Sequence, residues 1–176
     1  MATPPKSGLQ RPAELDQCID VSGMVDPEGG LVDRRVFTDE AVYKQEMSRI
    51  FACSWLFIAH ESQFQKPGDF FQTYMGEDPV IATMNKKREI RVLLNSCRHR
   101  GARVCRADQG RTKMFTCTYH GWAYDLDGNL VNLPGKEQYD ENFSQDDWPL
   151  VTVPRVESYK GLIFANWDEN AEPLEE

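Results

Sequence analysis

Two short stretches each place a thiol beside an imidazole: Cys97-Arg98-His99 and Cys117-Thr118-Tyr119-His120. Seventeen residues lie between His99 and Cys117, and a glycine closely follows each pair, Gly101 and Gly121. Two thiolates and two imidazoles can hold a zinc ion tetrahedrally, although zinc sites usually pair cysteine with cysteine two to four residues apart. One cysteine and one histidine per loop also suits a 2Fe–2S cluster in which histidines replace both cysteines on one iron. In that case Cys97 and Cys117 hold the iron that stays ferric, and His99 and His120 hold the iron that takes the electron. Neutral imidazoles donate less charge than thiolates, so such a cluster is easier to reduce than an all-cysteine one. On spacing alone the cluster is favoured and zinc stays open.

The elements that must position these loops read as mainly β. Short runs rich in aromatic and β-branched residues occur at Trp55–Ile58, Phe70–Met75, Val80–Met84 and Ile90–Leu94. Further strands are expected at Met114–Thr116, Trp122–Tyr124, Leu150–Val153 and Leu162–Trp167. Turn residues punctuate them: Pro67-Gly68-Asp69, Gly76-Glu77-Asp78-Pro79, Asn85-Lys86-Lys87-Arg88 and Asp125-Leu126-Asp127-Gly128. Many short strands with frequent turns predict a compact domain of small antiparallel sheets. One helix is expected from Thr38 to about Phe51, with Thr38 as cap, Asp39 and Glu40 in the first turn, and Tyr43, Met47, Ile50 and Phe51 on one face. Residues before it carry Pro4, Pro5, Pro12, Pro27 and Gly29-Gly30 and read as an extended N-terminal arm.

Composition narrows the function classes. Apolar residues make up 40% and charged residues 27% of the 176, as in soluble globular proteins. A net charge of −8 is a poor match to nucleic acid. The longest uncharged apolar run, Ile50–Ala59, is ten residues, against roughly 18 needed to cross a bilayer. Met1-Ala2-Thr3-Pro4-Pro5 opens without a hydrophobic signal region, so a cytoplasmic location is expected. Five cysteines there point to metal or redox work before disulfides. Charge is uneven. Arg98 to Lys113 holds six bases and one acid, whereas Asp125 to Glu176 holds 13 acids and 3 bases.

The stretches Cys97–Arg106 and Phe115–Tyr124 resemble the Rieske centre of aromatic-ring-hydroxylating oxygenase α subunits. The flanks agree: Leu94-Asn95-Ser96 before the first pair and Gly121-Trp122-Ala123-Tyr124 after the second. The likeness extends upstream to Trp55–Glu61 and downstream to Tyr159–Trp167. It implies an arm (1–37), a Rieske domain (38–168) with cluster loops 97–101 and 117–122, and the start of a linker (169–176). It implies Cys97, His99, Cys117 and His120 as ligands. It also implies a covering loop at Leu133-Pro134-Gly135, and hydrogen bonds to cluster sulfurs from amides around Arg100 and Gly101 and from the Trp122 ring. Trp122 and Tyr124 read equally well as plain core. Cys105 follows the first pair, but no cysteine follows His120, so the loop-to-loop disulfide of cytochrome-complex Rieske proteins is not expected. Cys18, Cys53 and Cys105 read as small buried hydrophobes.

In this family a second domain holds a mononuclear iron on two histidines and a carboxylate. Beyond the cluster pair only His60 remains, one histidine too few, and it reads as structural. The expectation is therefore a dioxygenase α subunit without its catalytic domain, unable to hydroxylate substrate alone. By resemblance, electrons come from NAD(P)H through a reductase or ferredoxin. They leave by His120 towards a mononuclear Fe(II) in a neighbouring α subunit of a trimer, with a β subunit as a further partner. Dioxygen activated there yields the aromatic cis-dihydrodiol. The competing readings are a stand-alone Rieske ferredoxin, which needs neither the arm nor the helix, and a zinc-bearing nucleic-acid module, which spacing and net charge disfavour. The aromatic substrate, and the choice between dioxygenase and monooxygenase, lie outside these residues.

Overall fold

A computed structural model describes residues 19–175. Cys18 and the earlier half of the arm lie outside the described residues. The described part of the arm contains a small ribbon, β1 (Val25–Asp26) paired with β2 (Leu31–Val32). Two short helices follow, α1 (Arg35–Thr38) and α2 (Glu40–Glu46).

The helix differs from expectation at both ends. Asp39 caps α2, its carboxylate accepting from the amides of Ala41 at 2.8 Å and Val42 at 3.2 Å. Thr38 instead closes α1, its hydroxyl donating to the Arg34 carbonyl. After Glu46 the backbone widens into a π-type turn, Met47–Phe51, whose extra residue per turn rotates later side chains off the α register. Val42 and Ser48 become the buried positions, while Tyr43 and Ile50 are exposed, Tyr43 with its hydroxyl on Glu77.

The remaining strands are β3 (Leu56–His60), β4 (Asp69–Met75), β5 (Asp78–Met84), β6 (Ile90–Leu94), β7 (Gln109–Arg111) and β8 (Phe115–Thr116). After them come β9 (Ala123–Tyr124), β10 (Leu130–Asn132), β11 (Arg155–Tyr159) and β12 (Leu162–Asn166). They form a four-stranded sheet in the order β6-β5-β4-β7 and two three-stranded sheets, β11-β12-β3 and β10-β9-β8. Every pairing is antiparallel, as the mainly β reading requires.

The four-stranded sheet is the middle layer. Along β5, Val80, Ala82 and Met84 enter a core shared with Ile58, Ile163 and Ala165 of the β11-β12-β3 sheet. Ile81, between them, enters a second core with Leu93, Phe115, Trp122, Tyr124 and both motif cysteines. Successive strand residues point to opposite faces, so a strand covered on both sides reads as one unbroken apolar run.

Leu150–Val153 is not a strand. It makes one bridge, Thr152 to Leu93, and isolated bonds from Leu94 N–H to the Val151 carbonyl and from Val153 N–H to the Val92 carbonyl. Pro149 and Pro154 flank it, and proline neither donates to a ladder nor leaves its predecessor free. Besides the arm ribbon β1-β2, three strands were not expected: β7, β10 and β11. All three lie at sheet edges, where polar side chains and glycine blur the pattern. Beyond β12, residues 171–174 lie against the β11-β12-β3 sheet: Trp55 Nε1 donates to the Glu172 carbonyl, Arg155 to the Ala171 carbonyl, and Leu174 N–H to Glu157.

Candidate metal centre

The two motifs sit on loops built to one plan. The first follows β6; the second joins β8 to β9. Cys97 N–H donates to the Ala102 carbonyl at 2.8 Å, and Gly101 N–H returns to the Cys97 carbonyl at 2.8 Å. In the second loop, Cys117 N–H donates to the Trp122 carbonyl at 2.8 Å and Gly121 N–H to the Cys117 carbonyl at 2.9 Å. Each glycine has φ 75°, a left-handed turn that L side chains resist. At Gly121 there is a second constraint: a Cβ would stand 2.8 Å from Pro134 Cγ. The Leu133-Pro134-Gly135 stretch thus does press on the second loop, with Leu133 buried in the core beside it.

The loops bring the four donors together as two pairs. Cys97 and Cys117 are buried side by side, close enough for their thiols to interact. Burial pushes the Cys97 thiol up, and the neighbouring Cys117 adds to this, while the Tyr124 hydroxyl and the His99 amide work the other way. Tyr124, fully buried, places its hydroxyl 3.4 Å from Cys97 Sγ and accepts the Arg98 amide at 3.1 Å. With its oxygen accepting that amide, the phenol proton is free to point at the sulfur. Burial, then Cys97, pushes the Tyr124 phenol far up, so it stays a donor.

His99 and His120 meet with ring centroids 4.5 Å apart at 64°. They are not equivalent. His120 is exposed, beside Tyr119. His99 is half-buried, and its Nδ1 is a buried atom with no hydrogen-bond partner. Burial, with help from the charges of His120 and Arg100, pushes His99 down and so favours the neutral, ligating form. Among the described residues no three His, Cys, Asp or Glu side chains converge on one ion.

The sequence profile of the Rieske [2Fe-2S] domain matches residues 54–160. The chain belongs to this family. Over 156 residues, 89% of this chain, it is 56% identical to the biphenyl 2,3-dioxygenase α subunit of Rhodococcus jostii. Over the same span it is 52% identical to the benzene 1,2-dioxygenase α subunit of Pseudomonas putida. It spans about a third of the length of either relative, 34% in both cases. Among solved structures, naphthalene 1,2-dioxygenase from a Rhodococcus species superposes with a TM-score of 0.77 at 44% identity, covering 82% of this chain and 33% of that one.

This Rieske domain carries donors that fit an iron–sulfur cluster: paired buried thiols, paired imidazoles and one buried imidazole nitrogen with nothing to bind. Two of the groups around the loops have partners within the protein. The Gly101 amide is taken up by the Cys97 carbonyl within the loop. The Trp122 N–H donates to Tyr139 Oη at 3.3 Å, and the indole instead stacks on His99. Arg100 is exposed.

Among the described residues Cys53, Cys97, Cys105 and Cys117 are all free thiols, with Cys105 buried and Cys53 half-buried. His60 is structural: its Nδ1 accepts the Ser62 amide at 3.1 Å, while its own amide donates to Gln63. Asn95 was passed over in the sequence except as a flank. Wholly buried, it accepts the Val104 and Cys105 amides and donates to the Cys105 carbonyl, tying down the chain that leaves the first loop. A lone amide after the apolar run Val92-Leu93-Leu94 was the available signal. Part of the basic stretch is engaged within the protein: Arg111 pairs with Asp69 at 2.6 Å, and Arg103, still charged, donates to Tyr74 Oη at 2.6 Å. Arg100, Arg106 and Lys113 remain exposed. Among the described residues no helix is long and apolar enough to cross a membrane.

Proposed function

We propose that Cys97, His99, Cys117 and His120 hold a Rieske 2Fe–2S cluster, and that the chain is the electron-transfer part of an aromatic-ring-hydroxylating dioxygenase α subunit. The observation that supports this best is the convergence of two matching loops. They bury a thiol pair on the core side and set an imidazole pair at the outer side, within a chain more than half identical to such α subunits. When bound, the cluster supplies a one-electron carrier with imidazole ligation at the iron that changes valence.

The chain's own residues do the rest. Cys97 and Cys117 lie in the low-dielectric core, away from water and oxidants. Tyr124 directs its proton at Cys97 and stabilises negative charge on that sulfur. Gly101 and Gly121 let the loops close tightly around the donors. His120, the exposed imidazole, offers the exit towards a mononuclear iron held by a neighbouring α subunit. Electrons reach the domain singly from NAD(P)H by way of a reductase or ferredoxin, and the whole enzyme adds both atoms of dioxygen to an aromatic ring. This part alone carries electrons and leaves the ring untouched.

The deciding experiment is iron and acid-labile sulfide per chain after anaerobic purification. About two irons and two sulfides are expected, with a rhombic EPR signal on reduction. Zinc without sulfide overturns the assignment.

A further inference from the structure

We propose that residues 168–174 are a strap clasped to the segment that leads into β3, with Arg155 as its fastener, so that the chain entering this sheet fixes the direction of the chain leaving it. The strap has no regular secondary structure. Such stretches stay mobile unless their backbone is tied down. This one is tied along its length. Asn166, 1% exposed, donates from Nδ2 to the Cys53 carbonyl at 3.1 Å and accepts the Asp168 amide on Oδ1 at 2.9 Å, so one buried side chain grips both segments. A turn follows, in which the Asp168 carboxylate accepts the Asn170 amide and the Asp168 carbonyl accepts the Ala171 amide. Trp55 Nε1 then donates to the Glu172 carbonyl at 3.0 Å.

Arg155 joins these contacts. Its Nη1 donates to the Ala171 carbonyl at 2.6 Å and its Nη2 to Glu157 Oε1 at 2.6 Å, while the guanidinium carbon stands 5.5 Å from the centre of the Trp55 ring. The other Glu157 oxygen accepts the Leu174 N–H at 2.9 Å. Arg155 above all, and then the Leu174 amide, holds the Glu157 carboxyl below the usual range and keeps it a charged acceptor. Burial follows the bonds: Ala171 and Leu174 are half-buried, whereas Glu172 and Pro173 between them are exposed. A guanidinium is planar and presents its donors as a rigid fork, so it can serve a carbonyl, a carboxylate and a ring face together; a lysine ammonium is a point charge without that fork. The strap belongs to the β11-β12-β3 sheet, across the middle layer from the two motif loops, so the clasp is independent of what those loops bind. On the α-subunit reading, a domain that follows is then carried on a stiff lead rather than a free tether.

Amide hydrogen exchange, followed by NMR on the whole chain, tests the clasp, because exchange reports local opening residue by residue. In the wild type the Leu174 amide is expected to exchange well below the rate of an unstructured peptide. Arg155→Lys keeps the charge but loses the fork, and it should speed exchange at Leu174 and Ala171 by roughly tenfold, the scale of one charge-assisted hydrogen bond, with the β12 amides unchanged. If Arg155→Lys does not fold, Glu157→Gln, which keeps the shape and one acceptor oxygen without the charge, decides by the same criterion. A wild-type Leu174 amide that exchanges at the unprotected rate overturns the proposal. So does protection that is unchanged in the variant, or lost at Leu174 and β12 together. The readout needs no metal, so a failure of the ligand reading and a failure of the clasp are separate results.

Discussion

Tyr124 Oη lies 3.4 Å from Cys97 Sγ, tying strand β9 to the first loop across 27 residues of sequence. The hydroxyl also accepts the Arg98 amide, so one buried phenol fixes both the sulfur and the backbone beside it. Donors aimed at cluster sulfurs favour the reduced, more negative state. Tyr124→Phe is therefore expected to lower the reduction potential. A hydrogen bond of about 1 kcal/mol corresponds to roughly 40 mV for one electron. Spectroelectrochemical titration of the two proteins checks this, and an unchanged potential would show that the phenol only packs.

The two loop glycines separate strain from crowding. Both have φ 75°, so alanine at either position costs about 1–2 kcal/mol of left-handed backbone strain. Only Gly121 faces Pro134, at 2.8 Å from a notional Cβ; at Gly101 the nearest atom is Ser96 Oγ at 3.8 Å. Gly121→Ala is expected to destabilise the chain more than Gly101→Ala and to lose cluster more readily. Thermal unfolding with iron content on each variant measures the difference, and equal losses would mean that the Pro134 loop yields.

Asp69 sets an acid limit. Its carboxylate accepts from Arg111 and from the Gln65 and Lys66 amides, and the Arg111 guanidinium above all holds it down to about 2. A carboxylate lowered on folding stabilises the native state above its unfolded value, about 3.9, and loses that contribution as pH falls towards the folded one. The loss between roughly pH 4 and 2 is about 1 kcal/mol once solvent screening at the half-exposed Arg111 is included. Denaturant midpoints for wild type and Asp69→Asn across that range should converge at low pH; curves that stay parallel would remove Asp69 from the account.

Arg100, Arg106 and Lys113 form the exposed remainder of the basic stretch. If an acidic electron donor docks there, its transfer rate should fall as ionic strength rises, because charge complementarity acts mainly on encounter. Arg106→Glu and Lys113→Glu should slow reduction at low salt and flatten the salt profile in stopped-flow traces. A profile that is already flat in the wild type excludes this surface.

Much of the fold was legible where one physical signal dominated. Ile90–Leu94 was expected residue for residue, and β4 and β5 within two residues at either end, because strands buried on both faces are rich in apolar residues, even at a sheet edge. Edge strands such as Gln109–Arg111 escaped, since one pleat face meets water and selects no apolar type. Leu150–Val153 has strand composition but proline at both flanks. The helix cap fell one residue later than read because Thr38 and Asp39 compete, and the two-amide geometry at Asp39 is visible only once folded.

At the candidate site, residue type and spacing by themselves singled out the four side chains proposed as donors, for a physical reason: few residues bind metal, and Cys-x-His with Cys-x-x-His offers mixed pairs that suit two irons. Glycine after each pair likewise follows from the turn it must allow. Tertiary structure alone decided how those donors differ. The burial of His99 under Trp122, the exposure of His120, the phenol on Cys97 and the carboxylate that neutralises Arg111 all join residues distant in sequence. Packing of three sheets, rather than any local pattern, brings them into contact.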